Sequence, residues 1–67
     1  MIFVDSSAIR AIGYDTHTQV LTIQFTSLQV YDYLDVPESE YHGLLTAESK
    51  GSYFSQNIRD QFQARRR

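Results

Sequence analysis

QVLTIQF, residues 19–25, alternates apolar Leu21, Ile23 and Phe25 with polar Thr22 and Gln24. Alternation at period two gives one apolar and one polar face, so the stretch reads as a half-buried β-strand. On its N-terminal side, residues 8–14 read as a second strand, less regular because Ile9 and Ile12 stand three apart; a bulge brings both inward. Asp15, Thr16, His17 and Thr18 are turn formers, and so short a link makes the two runs an antiparallel hairpin. On the C-terminal side, Thr26, Ser27 and Leu28 lead into a third strand at residues 29–34. The three runs form a meander.

Pro37 closes this pattern, because its ring fixes φ, removes a donor and keeps Val36 extended. It suits the first turn of a helix, with Glu38 and Glu40 near the positive end of the helix dipole. Tyr41, Leu44, Leu45 and Glu48 then share a face at helical spacing. Ser49, Lys50, Gly51 and Ser52 interrupt the helix, with Ser52 suited to an N-cap. Phe54, Ile58 and Phe62 recur every four residues as the stripe of a second helix. The expected fold is α+β: a three-stranded antiparallel meander followed by two helices packed on one face. Ile2, Phe3 and Val4 have no place in that scheme and are costly to leave in water. Residues 1–5 are therefore expected to form an extra strand or arm, paired with the sheet edge or mediating self-association.

A chain of 67 residues allows one core and one domain, spanning residues 1–67. With 42% apolar residues, five tyrosines and four phenylalanines, it has enough buryable surface to offset the entropy of ordering. There is no cysteine, which excludes disulfides and a thiolate zinc site and leaves a homo-oligomer as one route to more buried area. No apolar run approaches the roughly 20 residues of a membrane span, and no secretory signal pattern is seen, so the expected location is cytoplasmic. Through residue 58, two cations face seven carboxylates, a net charge of −5. From Arg59 onward, four arginines face Asp60, a net charge of +3. Residues 63–67 thus read as a basic tail on an acidic body, and any attraction for phosphate runs through that tail.

The ordered run Ser6, Ser7, Ile9, Ile12, Gly13, Tyr14, Asp15, Leu21, Ile23, Phe25, Tyr31, Asp32, Tyr33, Val36, Pro37, Tyr41, Leu44, Ala47, Ser49, Gly51, Tyr53, Phe54 and Ile58 closely resembles the KTSC domain. That family is named for the C-terminus of some lysyl-tRNA synthetases and also occurs as free-standing small proteins of bacteria and phages. Its central mark is a tyrosine pair around one residue, here Tyr31 and Tyr33. The resemblance implies a module, with RNA binding as one candidate role, and not a catalytic mechanism. Leu28 departs from the pattern where a turn glycine is usual, and Ser55 where asparagine is expected. Leu28 is expected to alter the second hairpin's turn and expose an apolar tip.

Three groups are candidates for function. Tyr31 and Tyr33 project from one face of a strand; they either stack on bases or fill a partner's pocket, or else pack under the helices, the commoner role of strand aromatics. Ser49, Lys50, Gly51, Ser52 and Tyr53 lead into a helix whose first amides can receive a phosphate or carboxylate, although such links usually serve only as connections. Arg65, Arg66 and Arg67 either contact RNA or form a frayed, solvated end. His17 in a turn and His42 on a helix supply neither a metal set nor a catalytic constellation. The expectation is a non-catalytic binding module without a cofactor, most simply a protein-binding regulator or inhibitor of bacterial or phage origin. The alternative is a nucleic-acid-binding domain using Tyr31, Tyr33 and the arginines, and a third is capture of a small anion at a subunit junction.

Overall fold

The computed structural model describes all residues, 1–67. Its elements are β1 (Ile2–Phe3), β2 (Ile9–Asp15), β3 (Val20–Phe25), β4 (Val30–Tyr33), α1 (Glu38–Thr46), α2 (Lys50–Asn57) and β5 (Ala64–Arg66). The strands form one antiparallel sheet in the order β1-β2-β3-β4-β5. The expected meander is therefore its middle, and the sheet has five strands instead of three. Ile2 pairs with Ile12 and Phe3 with Ala11 along one edge, while Arg66, Arg65 and Ala64 pair with Tyr31, Asp32 and Tyr33 along the other.

The ladder register sorts side chains onto two faces, because directly paired residues point the same way. Ile12, Ile23 and Tyr31 form one rank and Tyr14, Leu21 and Tyr33 the next. The shift in register between Ile9 and Ala11 is the bulge that brings both Ile9 and Ile12 into the interior. These residues belong to a core with Val36, Leu44, Phe54 and Ile58, of which Ile9, Ile12, Leu21, Ile23, Val36, Leu44 and Ile58 are completely buried. The opposite face carries the rank Gly13, Thr22, Asp32 and Arg65.

Helix α1 begins after Pro37, which is the N-cap itself, and places Leu44 in the core. The second helix differs from expectation at both ends. Ser49, not Ser52, is its N-cap: the Ser49 hydroxyl accepts from the Ser52 amide at 3.3 Å. At the other end α2 stops at Asn57, with Ile58 as the C-cap at φ −122°. Phe62 is thus not on the helix; it follows a turn over residues 58–61 and packs against the core from there. Its four-residue spacing from Ile58 reflects the length of that turn and not a continued helical stripe. Two further contacts fix the helices. Tyr14 stacks on Tyr41 with ring centroids 4.9 Å apart and its hydroxyl donates to the Val36 carbonyl. Gly43 leaves room for Tyr53, whose hydroxyl donates to Glu40 Oε1 at 2.8 Å.

Candidate binding site

Tyr31 and Tyr33 stand on the core side of β4, but they are not equivalent. Tyr33 is 5% exposed and belongs to the core, whereas Tyr31 is only partly buried. Phe54 packs edge-on to both Tyr33 and Phe25, at 5.5 and 5.3 Å, and Phe25 packs edge-on to Tyr31 at 5.9 Å. Edge-to-face packing suits the ring quadrupoles and fixes the orientation of each ring. These four aromatics, with Gln29, Ser55 and Arg59, line an open cleft of about 440 Å³. Burial pushes the Tyr33 hydroxyl pKa up, Tyr31 adds to the shift, and Arg59 opposes it. The cleft therefore presents a neutral Tyr33 phenol within an aromatic wall beside one guanidinium, a surface that packs against flat or apolar groups and can hydrogen-bond at its rim.

The link between the helices is occupied by its own residues. Besides capping Ser52, the Ser49 hydroxyl donates to the Ser52 hydroxyl at 3.0 Å. The Lys50 ammonium donates to the Ala47 carbonyl at 3.1 Å, capping the end of α1. Gly51 borders the aromatic cleft, and Tyr53 points instead to α1. The hydrogen bond to Glu40, more than burial, raises the Tyr53 pKa. Ser49, Lys50, Gly51 and Ser52 thus share a loop with Tyr53, but the polar groups of Ser49, Lys50 and Tyr53 already have internal partners.

The arginines are neither frayed nor near the tyrosines as a group. Residues 64–66 form β5, paired along β4, which corrects the expected fraying, although their side chains are exposed. Arg65 pairs with Asp32 on the face opposite Tyr31 and Tyr33, while Arg66 pairs with Tyr31. Asp32 is the residue that sequence reasoning missed: a carboxylate 5% exposed, between the two tyrosines of the motif. Its Oδ1 accepts from the Thr22 hydroxyl at 2.7 Å and its Oδ2 from Arg67 Nε at 3.0 Å, with Arg65 Nη2 at 3.9 Å. Burial would raise its pKa, but the hydrogen bonds from Thr22 and Arg67 and the charges of Arg67 and Arg65 outweigh burial and hold it below 3.8. Alternation in β4 placed Asp32 on the polar face; its two arginine partners lie more than thirty residues away in sequence, beyond the reach of any local signal.

His17 sits in the β2–β3 turn, where its amide donates to Asp15, and His42 pairs with Glu38 on the exposed side of α1 at 3.1 Å. No cluster of three His, Cys, Asp or Glu side chains is placed to hold a metal ion. No helix is long and apolar enough to cross a membrane.

The KTSC domain model matches residues 5–62. A protein of Tsukamurella paurometabola is 41% identical over 61 residues, covering 91% of each chain. A lysine–tRNA ligase of Nostoc punctiforme is 41% identical over 58 residues, which are 87% of this chain and 10% of that enzyme. The crystal structure of a KTSC domain protein from Yersinia pestis superposes with a TM-score of 0.94 at 40% identity, covering 97% of this chain and 92% of that one. With the tyrosine pair on β4, the order of strands and helices, and these likenesses in agreement, the chain belongs to the KTSC domain family.

Proposed function

We propose that this KTSC domain is a non-catalytic binding module that receives an apolar or aromatic side chain of a protein partner in the cleft lined by Phe25, Tyr31, Tyr33 and Phe54. The observation that carries this reading is the pair of partly buried rings, Tyr31 and Phe25, that open the cleft above the buried Tyr33 and Phe54. Aromatic anchors in a partly desolvated pocket are where protein interfaces concentrate their energy. The charge layout favours a protein over a nucleic acid: Arg65 and Arg67 are turned towards Asp32 on the far face. The surface of the stacking rings therefore keeps only Arg59 and Arg66 of the four arginines from residue 59 onward, fewer than a phosphate backbone calls for.

RNA is the second reading. It draws on the presence of a similar domain in a lysine–tRNA ligase and on Arg59 and Arg66, which share the side of the tyrosines. A salt titration separates the two. Affinity purification of the domain from bacterial extract, with and without nuclease, is expected to retain a protein whose binding falls with Tyr31→Ala and only moderately with salt. Nuclease-sensitive retention with a steep salt dependence, relieved by Arg59→Ser and Arg66→Ser, would favour RNA instead.

A further inference from the structure

The family model ends at residue 62, and β5 follows it. Ala64, Arg65 and Arg66 are all exposed, so β5 places no apolar side chain in the core. It is held by backbone pairing, including Leu34 N to Gln63 O at 2.9 Å and Arg67 N to Val30 O at 3.0 Å, and by the two arginines over Asp32. Those arginine side chains are 68% and 60% exposed, while that of Asp32 is 8% exposed. The permanent part of this attachment therefore belongs to β4: an edge of backbone donors and acceptors with a buried carboxylate at its centre. The removable part is an extended segment with cations at alternating positions. Strands without buried side chains open at low cost compared with the whole fold, and half-buried Phe62 can hold the chain at the root while residues 63–67 peel away.

We propose that the β4 edge, residues 30–33, is a strand-addition site for an extended protein segment carrying basic side chains at alternating positions, and that β5 covers this site in cis. The net charge of −5 through residue 58 attracts such a segment. The added strand supplies main-chain hydrogen bonds for affinity, and Asp32 reads the cations that face it for specificity. This site uses the backbone edge and the Asp32 face of β4, adjoins the aromatic cleft through Tyr31 and Tyr33, and requires nothing to occupy that cleft.

The test uses the full chain and a fluorescent, acetylated peptide of alternating threonine and arginine, with a threonine–glutamate peptide as control. Loosening the cis strand by Arg65→Ser with Arg67→Ser is expected to raise affinity for the basic peptide about tenfold or more, since a tethered competitor acts at roughly millimolar effective concentration. Adding Asp32→Asn is expected to cancel that gain. No gain, a gain that survives Asp32→Asn, or equal binding of the acidic peptide overturns the proposal. Should the double variant not fold, amide exchange in the unmodified chain decides. At saturating basic peptide, Arg67 is expected to lose its protection while Leu34 keeps its own, because the incoming strand replaces the Gln63 carbonyl. Continued protection of Arg67, or no binding at all, overturns the proposal. So does a concentration-dependent dimer of the unmodified chain that Arg65→Ser with Arg67→Ser abolishes, since the occupant is then a second copy's tail.

Discussion

Leu28 holds a φ of 74° in the turn between β3 and β4 while 58% of its surface is exposed. Its amide donates to the Phe25 carbonyl at 2.8 Å, closing a three-residue hairpin whose last position needs the left-handed region. A branched side chain there costs roughly 1 to 2 kcal/mol of steric strain, against about 0.4 to 1 kcal/mol of added unfolded-state entropy if glycine replaces it. Strain wins, so Leu28→Gly is expected to stabilise the domain by about 0.5 to 1 kcal/mol, seen as a higher urea midpoint with an unchanged slope. Gly43 illustrates the opposite case. A methyl group there would lie 2.1 Å from the Tyr53 hydroxyl and 2.6 Å from its ring. Alanine favours a helix by about 1 kcal/mol over glycine, but displacing Tyr53 breaks its hydrogen bond to Glu40. Gly43→Ala is therefore expected to destabilise the unmodified chain and to stabilise one carrying Tyr53→Ala. The same sign in both backgrounds would show that Tyr53 does not fill this space.

Among the elements, those with their own periodicity were legible and those that borrow stability from elsewhere were not. Alternation at Leu21, Ile23 and Phe25 identified β3, and the offset of Ile9 from Ile12 identified a bulge that the register reproduces. Proline at 37 and the spacing of Tyr41, Leu44 and Leu45 located α1. The final strand carried no such mark, because three arginines in a row look solvated until Asp32 is known to face two of them. Likewise, spacing alone could not reveal that Phe62 reaches the core from a turn. The tyrosine pair was legible as a candidate, but its unequal burial depends on Phe54 covering Tyr33 more than Tyr31. Ile58 links these levels: it ends α2 and is completely buried. Ile58→Ala is expected to cost about 2 to 5 kcal/mol, a large part of the stability of a small domain. A thermal melt left unchanged by this substitution would mean that the end of α2 does not close the core.

For the molecule as a whole, the buried carboxylate makes stability depend on acid. Only twelve of 67 residues are buried, and Asp32 is the one ionisable carboxylate among them. Its folded pKa lies below 3.8 because Thr22 and the arginines outweigh the cost of burial. A depressed folded pKa means that the unfolded chain binds the proton more tightly. The contribution is thus fully present above the unfolded value and is lost as pH falls through the folded one. Asp15 shifts in the same direction, through hydrogen bonds from the backbone amides of His17 and Thr18, but it is exposed. Asparagine can replace its accepting oxygen in the turn, whereas at position 32 a neutral amide removes the negative charge that Arg67 and Arg65 face. Asp32→Asn is therefore expected to lower stability at neutral pH and to flatten its decline below about pH 4, the ordinary carboxylate range. Asp15→Asn should flatten that decline while leaving neutral stability nearly intact. Urea midpoints measured from pH 7 down to the onset of acid unfolding check both expectations. An undiminished acid slope in Asp32→Asn would show that the carboxylate between the two tyrosines does not hold the β4–β5 edge together.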